Sequence, residues 1–259
     1  MQTRWILVGG VTVLLAILAI YGTTCTGCSK DSGPPKRTPT PVDMATAGTI
    51  KGIVLYKGTP KERKPLSTGG DAACAQEPPP LSEQVIVNER SGRQVLQNAF
   101  IWIKGGLGSF VPSVPEAAVV VDQRLCIFRP HVVGVQRYQT LLFTNSDQTE
   151  HNVKFAESLR NPSHDQSMTG AGQKLPFWFP EEAVMMKVIC SKHSWMSCWI
   201  GVVDSPFFSV TGEDGTFELK GVPPGSYTVG CWSESLGVQE QPAKVDAKGA
   251  VELEYSFSK

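Results

Sequence analysis

The chain of 259 residues lacks net charge: 24 Lys and Arg stand against 24 Asp and Glu. Charged residues make up only 19% of it, with no basic run and no alternation of basic and aromatic residues. That removes the electrostatic footprint of nucleic-acid binding and leaves no strong long-range steering of a charged partner. Histidine is scarce, at four residues, and no two stand as His-x-His. No phosphate-binding glycine loop and no Ser-His-Asp arrangement can be found. Beyond residue 46 no amphipathic stretch has the length and period of a useful helix.

What is present are short apolar or β-branched runs punctuated by Gly and Pro. They include Ile50–Tyr56, Gln84–Val87, Ala99–Ile103, Ala118–Val121, Val132–Gln136, Thr140–Phe143, Val184–Ile189, Trp199–Val203, Thr216–Leu219 and Ser226–Cys231. This pattern predicts an all-β fold with the strand spacing of a sandwich. Within Val184–Ile189, alternation places Val184, Met186, Val188 and then Cys190 on one inward row.

The N-terminus reads differently. Arg4 precedes an apolar stretch from Trp5 to Tyr21, followed by small residues and Cys25 and Cys28. A basic start, an apolar centre and a small-residue end make an export signal, and the apolar stretch is near the lower limit for a membrane-spanning helix. Thr26-Gly27-Cys28 is similar to the end of a bacterial lipoprotein signal, which implies Cys28 as the lipidated residue; a plain anchor is the alternative. Residues 1–28 are thus a signal or anchor. Residues 29–46, with Pro34, Pro35, Pro39 and Pro41, read as a semi-rigid spacer. The expected location is the bacterial cell envelope, on the periplasmic or extracytoplasmic face and tethered to the membrane. Such a compartment permits disulfides. Cys74, Cys126, Cys198 and Cys231 allow three pairings that sequence cannot separate. We take Cys74–Cys126 and Cys198–Cys231 as the expectation, with four free thiols as the alternative.

One constellation carries chemistry. Cys190-Ser-Lys-His193-Ser-Trp-Met196 follows, at a distance, Asn145-Ser-Asp-Gln-Thr-Glu-His151-Asn152. A thiolate, two imidazoles and a thioether are the donors of a trigonal blue-copper site with a weak axial Met. Any one of these residues alone would be core filler; the joint spacing is what counts. Asp147 and Glu150 flank His151, but carboxylates in a turn-rich segment are normally solvated. His131 and His164 are candidates for a second metal site, though a hydrogen-bonded structural role for His131 and a polar-loop position for His164 are the expectation.

The motif Cys-x2-His-x2-Met with an upstream Asn-x-Asp-x3-His-Asn-Val resembles the cupredoxins, and the short loop is most similar to amicyanin. The resemblance implies one type 1 copper held by His151, Cys190, His193 and Met196, with Asn152 bracing the Cys loop and Asn145 also behind the ligands. It implies a Greek-key sandwich, with the edge of His193 as the electron doorway, Lys192 on its rim, and Trp195 either in the surrounding patch or, as the alternative, a half-buried packing residue. Two departures from the family pattern are Ser194 where Pro is frequent and Lys154 where a second His is frequent.

A second resemblance brackets the first. Thr211-Gly-Glu-Asp214-Gly215-Thr-Phe217 and Pro223-Pro224-Gly225-Ser-Tyr227 resemble the carboxypeptidase regulatory-like (prealbumin-type) sandwich. Gly52–Gly58 and Asn98–Lys104 fit its earlier strands. The implied arrangement is nested: residues 47–105 and 207–259 form that sandwich, and 106–206 the inserted cupredoxin domain. The function these resemblances imply is a membrane-tethered single-electron carrier, with a redox protein such as a c-type cytochrome as partner. It is not expected to be an enzyme, because multicopper oxidases and nitrite reductases need additional His clusters. A copper chaperone or sensor, and a cell-surface carbohydrate-binding or structural module, are the alternatives.

Overall fold

The computed structural model describes residues 38–68, 70–156 and 161–258. The apolar stretch, Cys25, Cys28 and the first part of the spacer lie outside these residues. The spacer's end does not stand free. Thr40 N–H donates to Val111 O at 2.7 Å, and Val42 packs on a core. The Asp43 carboxylate meanwhile accepts from Ala45 N–H and from the Thr46 hydroxyl.

The described chain is all-β, as expected. Its strands are β1 (Gly48–Lys57), β2 (Ile86–Arg90), β3 (Arg93–Gln97), β4 (Phe100–Gly105), β5 (Val119–Arg124), β6 (Ile127–Arg129), β7 (Val132–Gln136), β8 (Leu141–Asn145) and β9 (His151–Phe155). The second half adds β10 (His164–Met168), β11 (Lys174–Phe177), β12 (Ala183–Ile189), β13 (Ser197–Val203), β14 (Phe208–Val210), β15 (Thr216–Val222), β16 (Gly225–Ser233), β17 (Gly237–Val245) and β18 (Ala250–Ser258). A 3-10 turn at Ala72–Cys74 is the one helix among the described residues.

Four sheets pair into two sandwiches. The order β15-β1-β3-β2, with β18 parallel on β1, faces β14-β4-β16-β17 across one core, which includes Ile50, Leu96, Ile101, Phe217, Val229 and Tyr255. Between β4 and β14 the chain builds the other sandwich. There β10-β9-β12-β13-β7 packs on β11-β8-β5-β6 around Val121, Phe128, Phe143, Val153, Val188 and Ile200. Alternation of buried apolar and exposed polar side chains buries one face of strands such as β8 and β15, whereas β4 and β7 are buried on both faces. Strands β7 and β13 lie parallel, with Gly134 opposite Gly201. A Cβ on either glycine would fall 2.4 Å from the rings of Phe208 or Phe100. This bare step lets the flanking sandwich lay both rings on the inner sheet.

Gly215 has φ +69° at the Asp214-Gly215 turn, and its amide hydrogen bonds close that turn. Asp214 accepts from Thr216 N–H and Oγ1 at 3.0 and 2.7 Å. One expectation fails locally. A register irregularity between Ala183 and Met186 rotates the start of β12, so Ala183 is buried and Val184 is exposed. From Met186 onward the inward row runs through Val188 to Cys190 as the alternation predicts.

Candidate metal centre

Strand pairing brings the site together. β9 opens on His151, and β12 ends one residue before Cys190; Ile189 pairs with Lys154, so the two strands are neighbours. The chain then folds tightly: Met196 N–H donates to His193 O at 3.0 Å, and Cys190 N–H to Met196 O at 3.2 Å. This loop turns His193 and Met196 inward, leaves Ser191, Lys192 and Ser194 exposed, and delivers the chain to β13. His151, Cys190, His193 and Met196 are all buried, none more than 4% exposed.

The donor atoms converge. His151 Nδ1 lies 3.0 Å from His193 Nδ1, and His193 Nδ1 lies 3.7 Å from Cys190 Sγ. One donor atom from each of the three residues lies within 4.8 Å of the others. The outer nitrogens are each held by a carboxylate: His151 Nε2 by Asp147 Oδ2 at 2.8 Å, and His193 Nε2 by Asp71 Oδ2 at 3.0 Å. An ionised carboxylate only accepts. Each Nε2 therefore carries a proton, and in the neutral tautomer each Nδ1 turns a lone pair toward the other. Two lone pairs that close, away from water, repel unless a cation lies between them. A metal ion bonded to nitrogen and sulfur at roughly 2.0–2.3 Å, with angles between about 95° and 120°, keeps neighbouring donors about 3.0–3.7 Å apart. The residues present fit such an ion, and the outer carboxylates fix ring orientation as metal-site histidines require. Burial lowers the pKa of His151, against the opposing pull of Asp147, which favours the neutral, ligating imidazole. The bond from His193, and then that from Ala73 N–H, hold the Asp71 carboxyl below its ordinary range.

The loop is braced from behind. Asn152 Oδ1 accepts from Ser191 N–H at 3.3 Å, while its Nδ2 donates to Asp165 at 2.7 Å. Asn145 Nδ2 donates to Thr149 O and Met168 O, and its Oδ1 accepts from Asp147 N–H. Asp147 also accepts from Leu125 N–H and Cys126 N–H at 2.7 and 2.8 Å. It is thus the hub of this corner and not the solvated turn residue that its polar surroundings suggest.

His193 is not the exposed doorway the resemblance implies. Its edge is covered by the Asp71–Cys74 turn, whose Cys74 forms a disulfide with Cys126 and places Sγ 3.7 Å from His193 Nε2. Trp195 stacks at a tilt on His193, ring centres 4.9 Å apart, and its Nε1–H donates to Cys126 O. The indole is therefore part of the lid, half-buried between loop and disulfide. Lys192 lies at the rim and pairs with Glu150 at 3.4 Å.

The other expected pair does not form: Cys198 and Cys231 are free, buried thiols. They belong to different cores, Cys198 in the inner sandwich and Cys231 in the flanking one, so no bond can join them without breaking both. Desolvation pushes both thiols well above their ordinary pKa, with Glu234 adding to the effect on Cys198. Neither remaining histidine sits in a metal-ligand group among the described residues. His131 bonds Glu234 at 2.6 Å and Ser197 O at 3.2 Å. His164 opens β10 instead of lying in a loop, its ring packed on Phe155 and Phe177.

Two residues of the site escaped the sequence reading. Asp147 carried a signal, an acid four residues before a ligand. Asp71 carried none, since it reaches His193 across 122 positions of chain.

No protein-family model matches the chain, and no curated protein matches it. Among solved structures, the Cu-containing nitrite reductase of Thermus scotoductus SA-01 aligns at 20% identity and TM-score 0.31, over 37% of this chain and 24% of that one. A reduced Cu(I) amicyanin aligns at 22% identity and TM-score 0.31, over 35% of this chain and 86% of that one. The purple cupredoxin of Nitrosopumilus maritimus aligns at 18% identity and TM-score 0.28, over 32% and 98%. The chain thus spans about a quarter of the nitrite reductase (24%) and most of the smaller proteins.

Proposed function

We propose that the protein is a single-copper electron carrier and not a catalyst, in which His151, Cys190, His193 and Met196 would hold the copper. The observation that carries this reading is the facing pair of Nδ1 atoms beside a buried thiol, each ring held from outside by a carboxylate. Copper bound there supplies one-electron Cu(II)/Cu(I) exchange, for which imidazole and thiolate together are a compromise donor set. The chain's own part is to hold the donors still. Asp147 and Asp71 fix the two rings, Asn152 fixes the Cys190 turn, and the buried loop excludes water, so little rearranges when the charge changes. Export and membrane attachment through residues 1–28, and a redox protein such as a c-type cytochrome as partner, belong to the same proposal. So does the finer reading of the flanking sandwich as a carboxypeptidase regulatory-like module. It is supported by the Asp214-Gly215 turn and by Tyr227 Oη donating to Pro223 O at 2.7 Å.

Copper titration of the purified protein, followed by visible absorption, tests this directly. One equivalent should produce an intense colour that bleaches on reduction. Cys190→Ser should abolish the colour, and Met196→Leu should mainly move the reduction potential. A copper-loaded wild-type protein without colour contradicts the proposal.

A further inference from the structure

The disulfide beside the metal centre belongs to a second donor cluster. Asp71, Cys74 and His193 each place one donor atom within 4.8 Å of the others, and so do Cys126, Asp147 and His151. Because Cys74 and Cys126 are bonded to each other, the two groups form one continuous cluster on the outer side of the imidazole pair. It holds two sulfurs, two carboxylates and two Nε2 atoms. While the S–S bond stands, neither sulfur is a thiolate, and the cluster is a hydrogen-bonded seal.

We propose that reducing the Cys74–Cys126 disulfide creates a second metal site, outside the first, for a thiophilic d10 cation of the zinc(II) type. The two thiolates are its ligands, and Asp71 and Asp147 supply the oxygens. Two soft sulfurs with oxygen or nitrogen partners are a donor set that zinc accepts in tetrahedral geometry. A dithiol reductant provides two electrons and two protons: the S–S bond breaks, both cysteines become thiols, and the dithiol closes to its own disulfide. Binding then exchanges the two thiol protons for the cation and releases them to solvent.

The cluster has reason to survive loss of its covalent bond. The Cys126 and Leu125 amides bond to Asp147 at 2.8 and 2.7 Å. Gln76 Nε2 donates to Leu125 O at 2.7 Å, and Trp195 Nε1–H to Cys126 O at 3.0 Å. Asp71 accepts from Ala73 N–H at 2.8 Å, which holds the Ala72–Cys74 turn. None of these contacts uses the S–S bond. The Cα atoms of the two cysteines are 5.5 Å apart, a span over which two thiolates can hold one ion. A surface recess lined by Gly70, Asp71, Lys192, His193 and Trp195 opens onto one of the proposed ligands, Asp71. The inference goes beyond the copper proposal and does not depend on which ion occupies the inner site.

The test uses the full chain, treated with a dithiol and desalted without oxygen, with zinc(II) as the probe. Bound zinc per chain is measured for the wild type and for Cys74→Ser/Cys126→Ser. Both proteins carry Cys25, Cys28 and the inner site, so these contributions cancel. The reduced wild type should bind one equivalent more than the reduced double variant, and the oxidised wild type should match the oxidised variant. Equal stoichiometry in the two reduced proteins overturns the proposal. A second measurement needs no variant: iodoacetamide labelling of the reduced wild type, read by mass spectrometry at Cys74 and Cys126. Zinc should slow modification of both at least tenfold, and unchanged rates overturn the proposal. Absence of colour with copper at Cys190 would remove the first proposal and leave this outcome standing.

Discussion

In the flanking sandwich, buried polar groups are satisfied by the chain's own backbone: Tyr255 Oη donates to Val229 O, and Tyr227 Oη to Pro223 O, each at 2.7 Å. The inner sandwich ends its core on His151, His193, Asn145 and Asn152, all buried. There the two asparagines are satisfied from within, but the two Nδ1 atoms and the Cys190 thiol face one another. Both regions bury apolar strand faces by the same physics. They differ in whether the polar atoms at the core's edge can be paired by the protein alone. Buried polar groups are almost always paired, so the region whose ring nitrogens and thiol face one another is the one suited to hold an ion. A free buried thiol does not by itself mark such a place: Cys231 in the flanking core belongs to no metal-ligand group among the described residues, whereas Cys190 shares one with His151 and His193.

The comparison can be broken at several points. Phe217 fills the flanking core; Phe217→Ala should cost about 3–5 kcal/mol of unfolding free energy and leave the metal spectrum of the folded fraction unchanged. Denaturant titration alongside the absorption spectrum measures both, and loss of the metal signal without unfolding would show the two regions to be coupled. Asp147→Asn should keep the fold and weaken metal binding by about 10–100-fold, the usual effect of losing a carboxylate behind a ligating His. Competition with a chelator measures it, and unchanged affinity would mean that the carboxylate clamp does not shape the site.

The junction between the sandwiches carries a pH dependence. Burial alone would raise the pKa of Glu234, but its bond and charge interaction with His131, together with Trp199 and Lys187, outweigh that, and the carboxyl is held below its ordinary value. A depressed folded pKa means stability present above the unfolded value of about 4.3 and lost as pH falls through the folded value. Glu234→Gln should therefore flatten the fall in Tm between about pH 5 and pH 3. Identical acid limbs for the two proteins would remove the pair as a contributor. The smallest effect is expected at the rim. The Lys192–Glu150 pair is exposed on both sides, and Lys192→Ala should change stability by no more than about 1 kcal/mol, as thermal unfolding can check.

Much of this arrangement is legible in the sequence. The apolar, β-branched runs Ile50–Tyr56 and Val132–Gln136 mark strands, the second buried at every position, and the Cys190–Met196 spacing marks the loop because three donors must share one turn. Other elements hide for physical reasons. β10, His-Asp-Gln-Ser-Met, buries only its last residue, so it has no apolar period to read. β17 carries Pro242 and a run of Gln and Glu, and buries only Ala243 and Val245. β18 is different: Leu253, Tyr255 and Phe257 alternate inward in plain view, a signal present but not used. The start of β12 slips by an irregularity that no alternation foretells, which sends Val184 outward. Separating Cys198 from Cys231 requires knowing that their strands serve different cores. Asp71 is beyond reach of any local pattern, since only the docking of its turn on the inner sandwich gives it a role.

X-ray absorption at the copper edge of the one-equivalent complex tests the central claim most directly. The account predicts one short copper–sulfur path from Cys190 together with two imidazole nitrogen paths, and loss of that sulfur path in Cys190→Ser. A shell of nitrogen and oxygen only, unchanged by that substitution, would contradict it.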